Sequence, residues 1–203
     1  SDRTSFTANA NVNNLNDKRK PGRSDGWSPD AMMAGIRKEA TGGIDYYADD
    51  KDKKWKVNGN IQLSHTNIDE QETTNRTNFL PGGDTYERIV KASQNTALQL
   101  STSHALNLKF SQLALNIKPS ANYQRYDNTR STASQTFADD TLINSYISNG
   151  LTRGYRLNTA LSADGVLKFK GTSDFMELTA SARYSNAHDE EFDRYTLKVG
   201  SDD

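Results

Sequence analysis

Apolar and polar residues alternate with period two along much of the chain. From Trp55 to Leu63 one side carries Trp55, Val57, Gly59, Ile61 and Leu63, while the other carries Lys56, Asn58, Asn60 and Gln62. Successive side chains of a strand point to opposite faces, so this pattern predicts a strand with one apolar face. Leu113, Leu115, Ile117, Ala121 and Tyr123 repeat it against Asn116, Lys118, Ser120 and Asn122. So do Tyr155, Leu157, Leu161, Ala163, Leu167 and Phe169, and then Met176, Leu178, Ala180, Ala182 and Tyr184. Weaker copies are Phe6-Ala8-Ala10-Val12, Ile44-Tyr46-Ala48 and Thr96-Leu98-Leu100-Thr102. The expected fold is all-β: an antiparallel up-and-down meander of about seven strands over residues 1–203.

The links between these stretches differ in length. Asp49–Lys54, Asn107–Gln112 and Lys170–Asp174 read as short turns, whereas Asn14–Ala40, Thr66–Asn95 and Asp127–Arg153 read as long polar loops. Ordinary compact domains seldom hold several structureless loops of that length. Outer-membrane barrels do, with short turns at one end and long loops at the other. Pro119 interrupts the best strand and removes a ladder donor, so a bulge or local bend is expected there.

Parity fixes the register. The apolar face is even-numbered around Ile44–Ala48 and Thr96–Thr102, and odd-numbered from Trp55 and from Leu113. It is odd from Tyr155 to Phe169 and even from Met176 to Tyr184. Opposed residues of a hairpin share a face, so the three short hairpins should pair residues whose numbers sum to an odd value. In the last one Lys168 is expected opposite Glu177, Leu167 opposite Leu178, and Leu161 opposite Tyr184.

Composition sharpens the picture. Leu, Ile, Val and Phe make up roughly 18% of the chain, below the ~20% typical of globular domains, and mean hydropathy is -0.86. Disorder usually brings a large net charge as well, yet 25 basic and 26 acidic residues nearly cancel here. A membrane barrel reconciles these facts, because only one face of each strand meets lipid. Val57, Ile61, Leu63, Leu115, Ile117, Leu157, Leu161 and Leu178 should then stay partly exposed within the chain. Aromatics near strand ends (Tyr46, Tyr47, Trp55, Phe110, Phe169 and Phe175 by the short turns; Tyr123, Tyr126, Tyr155 and Tyr184 by the long loops) suit interfacial girdles. The competing architecture is a soluble β-sandwich serving as a glycan-binding or adhesin module. Charge balance argues against a nucleic-acid partner. The chain lacks cysteine, has no apolar run long enough for a membrane helix, shows no signal-peptide layout and reads as an excerpt of a longer protein.

Three stretches carry a family resemblance: Asn13-Asn14-Leu15-Asn16-Asp17-Lys18-Arg19-Lys20-Pro21-Gly22, Asn78-Phe79-Leu80-Pro81-Gly82-Gly83-Asp84-Thr85-Tyr86, and the hairpin from Gly43-Ile44-Asp45-Tyr46 through Trp55-Lys56-Val57-Asn58-Gly59. Together they resemble the barrel of TonB-dependent-receptor-like outer-membrane proteins of Gram-negative Bacteroidota. The resemblance implies an outer-membrane location, lipid as a partner, and a parent barrel whose remaining strands and plug complete it. It also implies ligand uptake energised through TonB, which would contact the plug. The chain itself has no recognisable plug or TonB box.

No catalytic, metal or cofactor constellation is legible, and an enzyme is not expected. His65, His104 and His188 lie far apart and suit interfaces rather than a metal. Asp49-Asp50-Lys51-Asp52-Lys53-Lys54 reads as a solvated turn, Gly82-Gly83-Asp84 as turn chemistry, and Asp189-Glu190-Glu191 with Asp193 as a charged outer loop. Leu142, Ile143, Tyr146 and Ile147 have the spacing of a short helix. Arg23, Trp27, Tyr86 and Arg88 fall in the long loops and are the candidate ligand contacts.

Overall fold

The computed structural model describes residues 3–19, 30–79, 81–171 and 173–199. They form seven strands: β1 (Arg3–Arg19), β2 (Asp30–Asp49), β3 (Trp55–Asn78), β4 (Thr85–Lys109), β5 (Leu113–Ala138), β6 (Thr141–Lys168) and β7 (Phe175–Val199). Every strand pairs antiparallel with its neighbours in chain order, giving one meandering sheet. The sheet is not closed: among the described residues β1 pairs only with β2, and β7 only with β6. The described residues form one sheet and not the stacked pair of a sandwich.

The long loops expected from the sequence are largely strand. β3 and β4 continue past His65 and Leu98 as far as Asn78 and Thr85, and β5 and β6 continue to a two-residue turn at Asp139 and Asp140. Leu142 to Ile147 belongs to β6 and is not helical. Both faces of these upper halves mix charged and polar residues with scattered apolar ones such as Ile36, Val90, Ile147 and Phe192, so no hydrophobic period marks them. Lateral hydrogen bonding to two neighbours makes them strands regardless. In the first long connection β1 reaches Arg19 and β2 starts at Asp30. Arg23 and Trp27 lie outside the described residues.

The register follows the parity argument. Asp49 pairs with Lys56, Lys109 with Ala114 and Lys168 with Phe175, and all three sums are odd. Within the last hairpin the pairing sits two residues from the expected one: Glu177 faces Val166, Leu167 faces Met176 and Leu161 faces Ala182. A two-residue shift preserves faces, and β7 simply begins earlier, at Phe175. Pro119 makes no bulge either. It leaves a gap in the β4–β5 ladder between Ser103↔Ser120 and Leu106↔Ile117, with the register unchanged on both sides. The break in register lies instead between Thr136 and Phe137.

Among the described residues there is no buried apolar core. Ile61 is 40% exposed, Leu63 48%, Leu161 46% and Leu178 59%. The eight residues expected to avoid burial do so.

Candidate functional site

The registers align one face of all seven strands into continuous cross-sheet rows. Those crossing β5 at Leu113, Leu115, Ile117, Pro119, Ala121 and Tyr123 contain no Asp, Glu, Lys or Arg. One row reads Thr4, Ala48, Val57, Leu106, Ile117, Ala163 and Ala180; another reads Ala8, Ile44, Ile61, Thr102, Ala121, Thr159 and Tyr184. The band ends abruptly. The next row, Val12, Ala40, His65, Leu98, Arg125, Tyr155 and His188, is amphipathic. The one beyond it is wholly polar: Asn14, Lys38, Asn67, Thr96, Asp127, Arg153 and Glu190. At about 3.4 Å per residue and a tilt near 45°, a band of this length stands about 25 Å tall. At the same level the opposite face is polar and charged, with Lys118 and Asp164 at 3.5 Å.

Aromatic side chains mark the band's upper edge. Tyr123 stacks with Tyr155 at 6.4 Å between centroids, and Tyr155 meets His188 at 5.9 Å. Tyr126, expected in the same girdle, points to the opposite face, as parity requires for an even number in β5. Tyr47 and Phe175 likewise fall on the polar face.

Glycines in mid-strand let side chains from flanking strands meet over them. Tyr46 hydrogen bonds His104 Nδ1 at 2.7 Å across Gly59, which pairs with both residues. On the polar face the Tyr126 hydroxyl donates to Asp189 across Gly154. Arg130 donates to Asp193 at 3.0 Å across Gly150, and also to Glu191 at 3.1 Å. The acidic run of β7 is therefore ordered strand and not a solvated loop. Its carboxylates divide between the faces, and Glu190 on the apolar side accepts from Arg153 Nε at 2.7 Å and contacts His188 at 3.2 Å. The Arg153 hydrogen bond, and next that of His188, hold Glu190 below the usual carboxylate range. The Asp189 carboxylate pushes Tyr126 up, because a phenolate there would lose its donated bond.

A cavity of about 900 Å³ touches all seven strands around the row Gly35, Glu70, Ser93, Arg130, Gly150 and Asp193. This row lies seven residues beyond Tyr123 on β5, well above the apolar band. Tyr86 and Arg88 are strand residues of β4 and not loop residues. Tyr86 packs near Phe137 at 6.4 Å and lines a separate cavity of about 400 Å³ beside Asp84, Asp139 and Asp140. The two residues therefore lie apart from the large cavity. Among the described residues no group of His, Asp or Glu is arranged to hold a metal ion. The glycine-centred contacts join residues 58 to 63 positions apart, which sequence spacing does not reveal. Gly59 inside a strand pattern was the one available signal; Gly150 and Gly154 fell within or just beside the expected Asp127–Arg153 loop. No protein-family model matches the chain, and no curated protein matches it.

Proposed function

We propose that this chain is part of an outer-membrane β-barrel whose parent is a TonB-dependent-type receptor and transporter for ligand uptake. The observation that carries the reading is the uncharged band, continuous across seven strands on one face and covered by no second layer. Its height suits the lipid-facing belt of a membrane barrel, and exposed apolar surface on this scale needs a partner. Lipid is that partner. The outer edges of β1 and β7 carry unpaired backbone groups, which the remaining strands of the barrel would satisfy. A plug within the finished barrel would contact TonB. The chain has no catalytic role in this account.

The polar upper halves extend the wall beyond the bilayer, and the large cavity lies at that height. Of the charged residues bordering it, Glu70, Arg130 and Asp193 share the row on the polar face, while Lys18, Asp69 and Arg194 belong to the opposite face. The full-length protein is expected in the outer-membrane fraction, with faster gel mobility before heating than after, as folded barrels behave. Its ligand uptake should stop when the inner-membrane proton gradient is collapsed. Recovery in the soluble fraction with no heat-dependent mobility would exclude the barrel, and uptake indifferent to the gradient would exclude the TonB-dependent role.

A further inference from the structure

We infer that the rim formed by the β2–β3, β4–β5 and β6–β7 turns docks anionic phospholipid headgroups. The inference rests on the barrel reading, since it takes the apolar band to lie in a bilayer. The two ends of the sheet differ in charge. Residues 49–55, 109–113 and 168–175 carry six lysines against four aspartates, a surplus of two positive charges. The connections at the other end, residues 20–29, 78–85 and 138–141, carry four aspartates against Lys20 and Arg23, a surplus of two negative charges.

Several carboxylates of the basic rim are already engaged. Asp50 accepts the Trp55 amide at 3.1 Å, and Asp49 accepts the Tyr47 hydroxyl at 2.7 Å. Lys53, Lys54 and Lys170 are exposed at the turn tips, Lys54 in a solvent-exposed ion pair with Asp52 at 3.5 Å. Beside them Trp55 begins the apolar face, 38% exposed, while Phe110 is 62% and Phe169 48% exposed. An aromatic ring at the hydrocarbon boundary with an ammonium just outside it matches the layering of a leaflet, acyl chains below and phosphates above. Basic groups at that depth favour anionic over zwitterionic lipid, by a factor of about five per lysine near the surface. An acidic protein partner would meet the same lysines but not the aromatics.

Trp55 is isolated as the reporter by difference: the protein and its Trp55→Phe variant are measured side by side, and the fluorescence the substitution removes is the Trp55 signal. The protein is reconstituted in vesicles with brominated phosphatidylglycerol or brominated phosphatidylcholine at equal mole fraction, and quenching of Trp55 gives the relative association of the two lipids. The glycerol lipid is expected to be preferred about fivefold or more. In the triple variant Lys53→Asn, Lys54→Gln and Lys170→Gln the ratio should fall close to one. Asn suits position 53, where φ is 55°. Equal quenching by both lipids, or a preference the triple variant leaves unchanged, would overturn the inference while sparing the barrel. Quenching by neither lipid would overturn the barrel reading as well.

Discussion

Gly59 illustrates how a missing side chain shapes the sheet. A Cβ there would lie 2.8 Å from the Ser103 carbonyl oxygen and 2.8 Å from the Tyr46 hydroxyl, so any larger residue must force the Tyr46–His104 contact apart. Gly59→Val should destabilise the folded protein by about 1–3 kcal/mol, the usual cost of forced overpacking. Denaturant titration in a lipid-mimetic micelle measures it, and no change would mean the ring contact is dispensable. At Glu190 the prediction concerns pH. Its folded-state pKa is lowered by Arg153 first and His188 second. A depressed carboxylate contributes stability above its unfolded pKa and loses it as pH falls through the folded value. The stability difference between the unaltered protein and Glu190→Gln should therefore be present at neutral pH and vanish on acidification below the carboxylate range. A difference that grows on acidification would contradict the assigned partners.

Turns and strands follow more local rules. Asp139 and Asp140 both have positive φ, 46° and 63°, in a two-residue hairpin loop closed by Ala138 and Thr141. Asn-Gly is the favoured pair for that geometry. Asp139→Asn with Asp140→Gly should stabilise the hairpin by about 1 kcal/mol, read as a higher denaturant midpoint; a lower midpoint would mean that the aspartates serve the turn through their charge. Legibility in the sequence divides along each strand. Val57-Gly59-Ile61-Leu63 announces itself because one face is apolar and the other polar. Past His65 the same strand reads Thr66-Asn67-Ile68-Asp69-Glu70-Gln71, polar on both sides, and resembles a loop until its neighbours supply hydrogen bonds. Parity fixed the faces of the last hairpin. Its six-residue connection from Phe169 to Asp174 fixed the register, with Gly171 at φ 82° and the Phe169 amide bonded to the Asp174 carbonyl. The sequence offers no way to choose between neighbouring registers of equal parity. The contacts of Arg130 with Asp193 and of Tyr126 with Asp189 were hidden for another reason, since they need three strands in known register.

At the scale of the whole molecule, two zones meet at the row of His65, Arg125, Tyr155 and His188. Below it one face is uncharged; above it charged and polar residues enter both faces, and the large cavity sits there. In the proposed barrel this row would mark the edge of the bilayer. Spin labels placed singly along β3, from Asn58 to Asp69 in the vesicle-reconstituted protein, test this most directly through collision with oxygen and with a water-soluble nickel complex. Labels at Ile61 and Leu63 should be oxygen-rich and nickel-poor, those at Asn60 and Gln62 the reverse, and the alternation should be lost at Asn67 and Asp69. Nickel access at Ile61 and Leu63 as high as at their neighbours would contradict the lipid-facing band.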